Sequence, residues 1–553
     1  MDAKQLRSLG DETFTKKEPL NTFHQEIAEN FYPERADFTL KRQLGYDFAS
    51  SLTTSYPLLC RREMGDSMEA MLRPYGKNYA HMRPADGSNV GNEEKRWLQW
   101  AEGTQRRAMY DRVTQFTRAM KEADHDFVTF GQPVISIELN DERSALLYRT
   151  WHLRDVCWRE NAKGEICSVW RRWKPYAMDL VALFPGGKCH PKVIDKASKK
   201  PFEEINVMHM VVEANLYTGE MKGYEGPRQG KKRWSLYFDC DNGHLIEAIP
   251  IQGKHYVIPR WQTVAGSQYA FSPATIAALP EGRLLQAMAY TILEAGEKIA
   301  NPPMVGTIDA VRSDVAIFAG GLTWVDREYD ERFGAAIRAL TQDARGMPIT
   351  LEMQQASREV LKRCFYADKL RPFLPTEDKE MTAFQAGQIV AQYIRDALPL
   401  FAPMESEYNG GVWEESFGVL QRGGAFGSPM DMPEKLRGTD IEFHFESPLH
   451  DAIERQKVTA WQEMSQIIAA ALSIDPTAAA IVDGPQALRD VLEVVAPATW
   501  VNSDVKVKEI RAAQAAAAEN AAMLESMKVG SEAVANLSSA NRDDAQADAQ
   551  VPA

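Results

Sequence analysis

The sequence has few cysteines, and they lie far apart. Six occur among 553 residues, and no two form a Cys-x-x-C pair. This spacing argues against a disulfide framework and against a zinc site. Long apolar runs are absent too, since no segment approaches the roughly 18 to 20 apolar residues that a bilayer span needs. The N-terminus lacks the apolar core of a secretory signal, so we expect a soluble protein on the cytoplasmic side.

The common catalytic motifs are missing as well. There is no G-x-x-x-x-G-K-[ST] loop for ATP, no G-x-S-x-G nucleophile turn and no H-E-x-x-H zinc helix. The sequence therefore predicts no catalytic residue, no metal ligand and no cofactor. A net charge of -13 also argues against tight electrostatic binding of DNA, because such binding requires a basic face that neutralises phosphates.

The residue patterns indicate an α+β protein. Apolar residues recur every three or four positions in 37–72 and 92–130, which predicts amphipathic helices. After Gly131 the spacing changes to two in PVISIEL, SALLYRTWHL, ICSVWRRW and INVMHMVVEA, which predicts strands. A hairpin is expected where Asp241, Asn242 and Gly243 separate two further strands. His209, inside one of these strands, is expected to be a packed or surface histidine rather than a catalyst.

A long helix is expected from Pro273 to Ala300. A Ser-Pro pair marks its start, and Asn301-Pro302-Pro303 marks its end because proline cannot continue a helix. About 25 residues at about 1.5 Å each would extend over roughly 38 Å. Another helix is predicted for 349–368, a break for 369–380 and mostly helix from 451 onwards, before a polar tail that we expect to be disordered.

Many short sequence motifs, in their order along the chain, resemble those of the head-to-tail connector, or portal, proteins of short-tailed, T7-like bacteriophages. The motifs are Trp234-Ser235, Ile249-Pro250, Arg260-Trp261, Tyr269, Ser272-Pro273, Leu279-Pro280, Asn301-Pro302-Pro303, Phe365-Tyr366-Ala367-Asp368, Met381-Thr382-Ala383, Arg422-Gly423-Gly424, Ser447-Pro448-Leu449 and Arg455-Gln456. The resemblance extends roughly from 38 to 523. It departs from the family at Tyr269, where alanine instead of the usual glycine follows.

The resemblance implies a ring, expected to be a dodecamer, around a channel for double-stranded DNA. The implied parts are an N-terminal arm (1–36), a wing of helices and antiparallel strands (37–272), a descending stem helix (273–301), a clip (302–348), an ascending stem helix (349–368), a tunnel loop (369–380), a second wing part (381–450), a helical crown or barrel (451–528) and a disordered tail (529–553). It also implies partners: a tail adaptor, the terminase large subunit, the major capsid and scaffolding proteins, and internal core proteins. The ring would be assembled in the host cytoplasm, stand at one capsid vertex of the virion, contact DNA weakly and touch no membrane.

Acidic residues on the implied channel parts agree with such a passage. The expected channel-lining residues are Glu294, Glu297 and Lys298 on the stem helix and Glu377, Asp378, Lys379 and Glu380 on the tunnel loop. A basic tube would hold the phosphates of a duplex, whereas an acidic one repels them. Taken singly, these are the charges of any solvated helix or loop, and only repetition around a ring gives them weight.

Two other functions stay open from the residues alone. One is a metal-dependent enzyme acting on nucleic acid through Asp239 and Asp241. The other is a helical interaction scaffold built on the alanine-rich C-terminal region. Removal of 505–553 separates the scaffold from the ring, because a ring held by stem and wing contacts would still assemble without that region.

Overall fold

We describe the protein from a computed structural model. The structure describes 1–367 except 41–48, 51, 75–77, 86–90, 141, 224–225, 227–229, 301, 303, 307–336 and 340–346, then 404–445 except 429–430, and scattered helical positions between 461 and 531. The chain divides into two compact units. The first comprises Met1–His81, Gly103–Gly427 and Phe443–Leu449, and the second comprises Met82–Glu102, Ser428–Glu442 and His450–Ala553. The side-chain contacts described below lie within the first unit.

Helices and strands are mixed along the described chain. The α-helices are α1 (Ala3–Phe31), α2 (Tyr56–Leu72), α3 (Asn92–Met109), α4 (Phe116–Phe130), α5 (Ala177–Leu183), α6 (Pro191–Lys199), α7 (Pro273–Ala300), α8 (Met347–Cys364) and α9 (Gly411–Arg422), with a π-helix at Met404–Gly410. The strands are β1 (Ala80–Pro84), β2 (Val134–Leu139), β3 (Leu146–Trp151), β4 (Val156–Glu160), β5 (Ile166–Trp173), β6 (Val207–Glu213), β7 (Arg233–Asp239), β8 (His244–Ile251), β9 (Tyr256–Val257), β10 (Gln262–Thr263), β11 (Ala270–Phe271), β12 (Met304–Gly306), β13 (Ile337–Ala339) and β14 (Ile441–Phe445). The expectation of an α+β protein is met at this coarse level.

A five-stranded antiparallel sheet is the largest β element. Its strands follow chain order, β4-β5-β6-β7-β8. Alternate side chains of the sheet, including Trp170, Met210 and Trp234, share a core with Leu6 and Phe14 of α1. The β7–β8 hairpin turns at Asp241 to Gly243, which confirms the hairpin predicted there. The strands predicted between 133 and 214 are also present.

The opposite face of this sheet meets a smaller sheet of order β3-β2-β9. The guanidinium of Arg171 on β5 lies 3.6 Å from the ring centre of Trp151 on β3. Its Nε donates to the hydroxyl of Tyr256 on β9 at 2.7 Å. Polar as well as apolar side chains therefore join the two β layers.

Helix α1 occupies most of the region expected to be only an N-terminal arm. Asp2 accepts a hydrogen bond from the backbone of Gln5 at its start, and the Gln5 side chain accepts one in return from the backbone of Asp2. Gly10 and Pro19 disfavour a helix within the sequence. Tertiary packing overrides them: a Cβ on Gly10 would lie 2.6 Å from Cδ1 of Trp170, so the helix lies directly against the large sheet.

Candidate channel helices

The first turn of α7 is fixed by hydrogen bonds to the end of α4. The Ser272 hydroxyl donates to the carbonyl of Val128 at 2.6 Å and accepts from the backbone of Thr275 at 3.3 Å. Thr275 Oγ1 donates to the carbonyl of Thr129 at 2.8 Å. Gly131 ends α4 with φ of 80°, and a Cβ there would lie 2.2 Å from the carbonyl carbon of Phe271. Only glycine permits this approach, so the start of α7 has a defined position.

The middle of α7 packs on α1 and on the segment before α2. Gly282 admits the ring of Phe31, whose Cζ would lie 3.2 Å from an added Cβ. The side chain of Gln286 accepts from the backbones of Thr53 and Thr54 at 2.8 and 2.9 Å, and it donates to the Thr54 carbonyl at 2.8 Å. These contacts hold the first half of the helix within the unit.

Helix α8 runs back alongside α7. The two helices pack together, and the thiol of Cys364, the last residue of α8, lies near the carboxylate of Glu281 in the first part of α7. Burial and this carboxylate raise the pKa of the Cys364 thiol. Phe365, which follows α8, is buried, and its ring lies 5.5 Å edge-on from that of Phe31. The two long helices thus form an antiparallel pair that is anchored at one end.

From Tyr290 onwards, the second half of α7 is exposed except along a stripe at Ile292, Ala295 and Gly296, which is half-buried. Tyr290 is 61% exposed and Leu293 is 56% exposed, although both side chains are large and apolar. Glu294 Oε1 and Lys298 Nζ form an ion pair at 2.6 Å, with both side chains about half exposed. Glu297 is exposed one turn after Glu294. Apolar and acidic groups therefore share a helix segment that the described residues of the chain cover only along that stripe.

The structure describes only some of the residues that were predicted to line the channel or to begin and end the stem helix. Pro273 is the first residue of α7, and the helix ends at Ala300. Pro302 follows outside regular structure, whereas Asn301 and Pro303 lie outside the described residues. Glu377, Asp378, Lys379 and Glu380 lie outside them too. In the region predicted as the clip, β12 and β13 pair antiparallel, with Val305 opposite Arg338.

A buried ion pair that was not predicted from the sequence joins the end of α2, α4 and the π-helix. Arg73, directly after α2, pairs with Asp124 of α4, and both side chains are almost fully buried. The Tyr408 hydroxyl donates to Asp124 at 2.8 Å, and Arg73 donates to the Asn409 side chain at 3.3 Å. The signal in the sequence was an aspartate at an apolar-face position of α4, where a partner is required.

Two acidic residues considered for metal-dependent chemistry hold the β7–β8 turn instead. Asp239 is buried and accepts from the backbones of Asp241 and Asn242 at 3.0 and 3.1 Å and from the Asn242 side chain at 2.7 Å. Asp241 accepts two bonds from Asn206. Within the residues that the structure describes, no group of three or more His, Cys, Asp or Glu side chains is placed to hold a metal ion.

His209 is packed between the β layers, as expected. Its Nδ1 lies 2.5 Å from the Tyr256 hydroxyl, and its Nε2 lies 2.8 Å from the Ser235 hydroxyl. Its ring stacks on Tyr237 at 4.1 Å. Burial, with His255 and Arg171 nearby, lowers the pKa of His209 well below its ordinary value. The imidazole is therefore a neutral structural group at physiological pH.

Comparison with known proteins gives the class of the chain. Residues 3–498 match the family described as "Bacteriophage head to tail connecting protein". The portal protein of Salmonella phage epsilon15 is 20% identical over 406 residues, which are 71% of this chain and 70% of that relative. A chain from the virion of a native gene transfer agent particle aligns with 79% of this chain and 94% of its own length, at 8% identity and a TM-score of 0.35.

The chain belongs to the family of bacteriophage head to tail connecting proteins. The resemblance to phage head-to-tail connector proteins that was inferred from its sequence motifs is thereby confirmed, and the protein is a structural component of a phage virion. Among the described residues, no helix is both long enough and apolar enough to cross a membrane.

Proposed function

We propose that copies of this chain form a portal ring at one capsid vertex and that α7 and α8 of each copy line a channel for double-stranded DNA. The observation that carries this proposal is the division of α7 into a packed first half and an exposed second half. The helix has 28 residues, which at about 1.5 Å each extend over roughly 42 Å. That length suits the side of a tunnel.

In the proposed ring, neighbouring copies would bury the exposed apolar residues of α7. Tyr290 and Leu293 lie three residues apart on one side of the helix, Ile299 lies on the opposite side from Tyr290, and all three are exposed in the single chain. Burying apolar surface contributes roughly 25 cal/mol per Å². Contacts on more than one side of a helix arise when each copy in a closed ring has two neighbours. The proposed ring is a dodecamer.

The acidic residues would then face the channel. Glu294 and Glu297 repeat once per copy, and Lys298 is already paired with Glu294. Repetition around the ring would produce a negative field that keeps a duplex from binding the tube. DNA would pass during packaging and ejection without being held.

The remaining parts of the proposal follow the implied division of the chain. The wing would comprise 37–272 and 381–450, the clip 302–348, the tunnel loop 369–380 and the crown 451–528. The clip would receive the terminase large subunit during packaging and the tail adaptor afterwards, so the energy for translocation would come from a separate ATPase. The ring would be assembled in the host cytoplasm with capsid, scaffolding and internal core proteins.

Electron microscopy and light scattering of the purified protein test the ring. We expect annular particles for the natural sequence and mainly monomers for Leu293→Asp, which places a charge where apolar surface is to be buried. The matched control is Val264→Asp, because Val264 is 55% exposed in the loop between β10 and β11 and this change should leave the rings intact. A monomeric natural protein at micromolar concentration would overturn the proposal.

A further inference from the structure

The connection between strands β5 and β6, here called the excursion, is longer than these paired neighbours require. The two strands pair directly, with Trp173 opposite Val207, and a short turn suffices to connect such neighbours. Instead 174–206 contain α5 and α6. The excursion packs on the large sheet, because Leu180, Phe184 and Val193 share a core with Val207 of β6 and Ile246 of β8.

The outer surface of this excursion carries adjacent apolar side chains. Phe202 is 71% exposed, and Tyr176 and Met178 are also exposed. The rings of Tyr176 and Phe202 meet edge to face at 5.9 Å. The backbone of Met178 donates to the carbonyl of Pro201 at 3.1 Å, which places Met178 beside Phe202. Single exposed apolar residues are ordinary, but adjacent ones indicate an interaction site.

The segment that carries these apolar residues is rich in lysine. Residues 174–204 contain six lysines and four acidic residues, within a chain of net charge -13. Lys199 and Lys200, at the end of α6, are highly exposed and form only long ion pairs, Lys199 with Asp195 at 3.7 Å and Lys200 with Glu203 at 3.9 Å. Lys196 pairs with Glu203 at 2.8 Å, on the far side of Phe202 in the chain. The local charge is therefore opposite in sign to that of the protein as a whole.

We propose that Tyr176, Met178 and Phe202, together with Lys199 and Lys200, form a docking surface, here called the Phe202 surface, for an acidic segment of another virion protein. The segment would place an apolar side chain against the two rings and its carboxylates at the lysines. This proposal rests on the family membership of the chain and is independent of the channel.

The contacts favour a peptide over nucleic acid. A base stacks on an open aromatic face, whereas the Tyr176 and Phe202 rings are arranged edge to face. Glu203 and Glu204 directly follow Phe202 and would repel a phosphate backbone. Carboxylates on a flexible segment can instead pair singly with lysines and avoid these two acids.

Photo-crosslinking in assembled particles tests the occupant. The photoreactive residue p-benzoylphenylalanine replaces Phe202 in one sample and Val264 in a control. We expect an adduct between residue 202 and a different virion protein, with the attachment site within a few residues of several carboxylates. Adducts only with a second copy of this chain, adducts only with DNA, or a yield no higher than at position 264 would overturn the proposal.

Incorporation into particles gives a second readout. Phe202→Ser and Lys199→Glu/Lys200→Glu should each reduce incorporation about tenfold, as for loss of an important interface residue, whereas Lys199→Arg/Lys200→Arg should retain it. Purified rings of all these variants should match the natural protein in size. Unchanged incorporation of Phe202→Ser would refute the docking surface, while failure of the natural protein to form rings would refute only the proposed channel.

Discussion

Replacing Asp124 by Asn should destabilise the first unit strongly. The side chains of Arg73 and Asp124 are 3% and 1% exposed. The change leaves the guanidinium buried without its counter-charge, with two neutral acceptors: the Asn409 side chain at 3.3 Å and the amide oxygen introduced at position 124. Breaking a buried pair by removing one partner costs about 3 to 5 kcal/mol. We expect about 3 kcal/mol, because the asparagine oxygen can still accept from Tyr408 and Arg73.

The free energy of unfolding is measured by urea denaturation at one fixed protein concentration, since assembly makes apparent stability depend on concentration. A second variant, Arg73→Met with Asp124→Asn, removes both charges and should be more stable than Asp124→Asn alone. Glu122→Gln is the control on the same helix. Glu122 pairs with Arg118 at the surface, and loss of such a pair changes stability by less than about 1 kcal/mol.

Two results would refute this reasoning. The first is a cost below about 1 kcal/mol for Asp124→Asn, since that would mean that the pair is not buried as the structure has it. The second is a double variant no more stable than the single one. Either would leave α2, α4 and the π-helix without the polar link that the structure gives them.

Two further predictions concern a buried lysine and the exposed end of α7. Burial lowers the pKa of Lys17 to about 8, and its ammonium group donates to the carbonyls of Leu153 and Val156. Between pH 8 and the ordinary lysine value of 10.5, the unfolded chain keeps a proton that the folded chain loses. Stability should therefore rise with pH across this window, by up to about 3 kcal/mol, and Lys17→Met should flatten the rise in urea denaturation at pH 7.5 and 10. Rings of the variant Glu294→Lys/Glu297→Lys should bind duplex DNA more tightly than natural rings. In filter binding, the plot of log affinity against log salt concentration should steepen by about 0.9 for each phosphate newly neutralised. Equal slopes for the variant and the natural rings would count against a channel-facing position of the two glutamates.

The strands were predictable because their side chains alternate between two environments. The β7–β8 hairpin had both alternation and a turn-forming Asp-Asn-Gly, and the structure has it at that place. Helix α1 was not predictable, since Gly10 and Pro19 interrupt the local preference and the large sheet supplies the compensating contacts. The patterns likewise predicted nothing for α5 and α6, which are too short for a clear helical repeat.

The position of the long helix was predictable for a different reason. Pro273 and the prolines after Asn301 are strong local signals, and α7 begins and ends where they indicate. The exposure of the second half of α7 was not predictable, because amphipathic spacing indicates only that a residue prefers burial. Whether Leu293 is buried by its own chain or by a neighbouring copy depends on contacts that no single sequence position specifies.

The exposed apolar residues on α7 and on the excursion form two groups, which differ in the charge of the residues around them. Around Tyr290 and Leu293 the charged neighbours are mainly carboxylates, and the exposed surface lies on several sides of one helix, which suits contact with identical copies beside an acidic channel. The excursion that carries Phe202 has more lysines than acidic residues, and its exposed apolar residues lie together, which suits a single acidic partner. The two proposed interfaces, one between copies and one with another virion protein, therefore differ in the sign of the nearby charge.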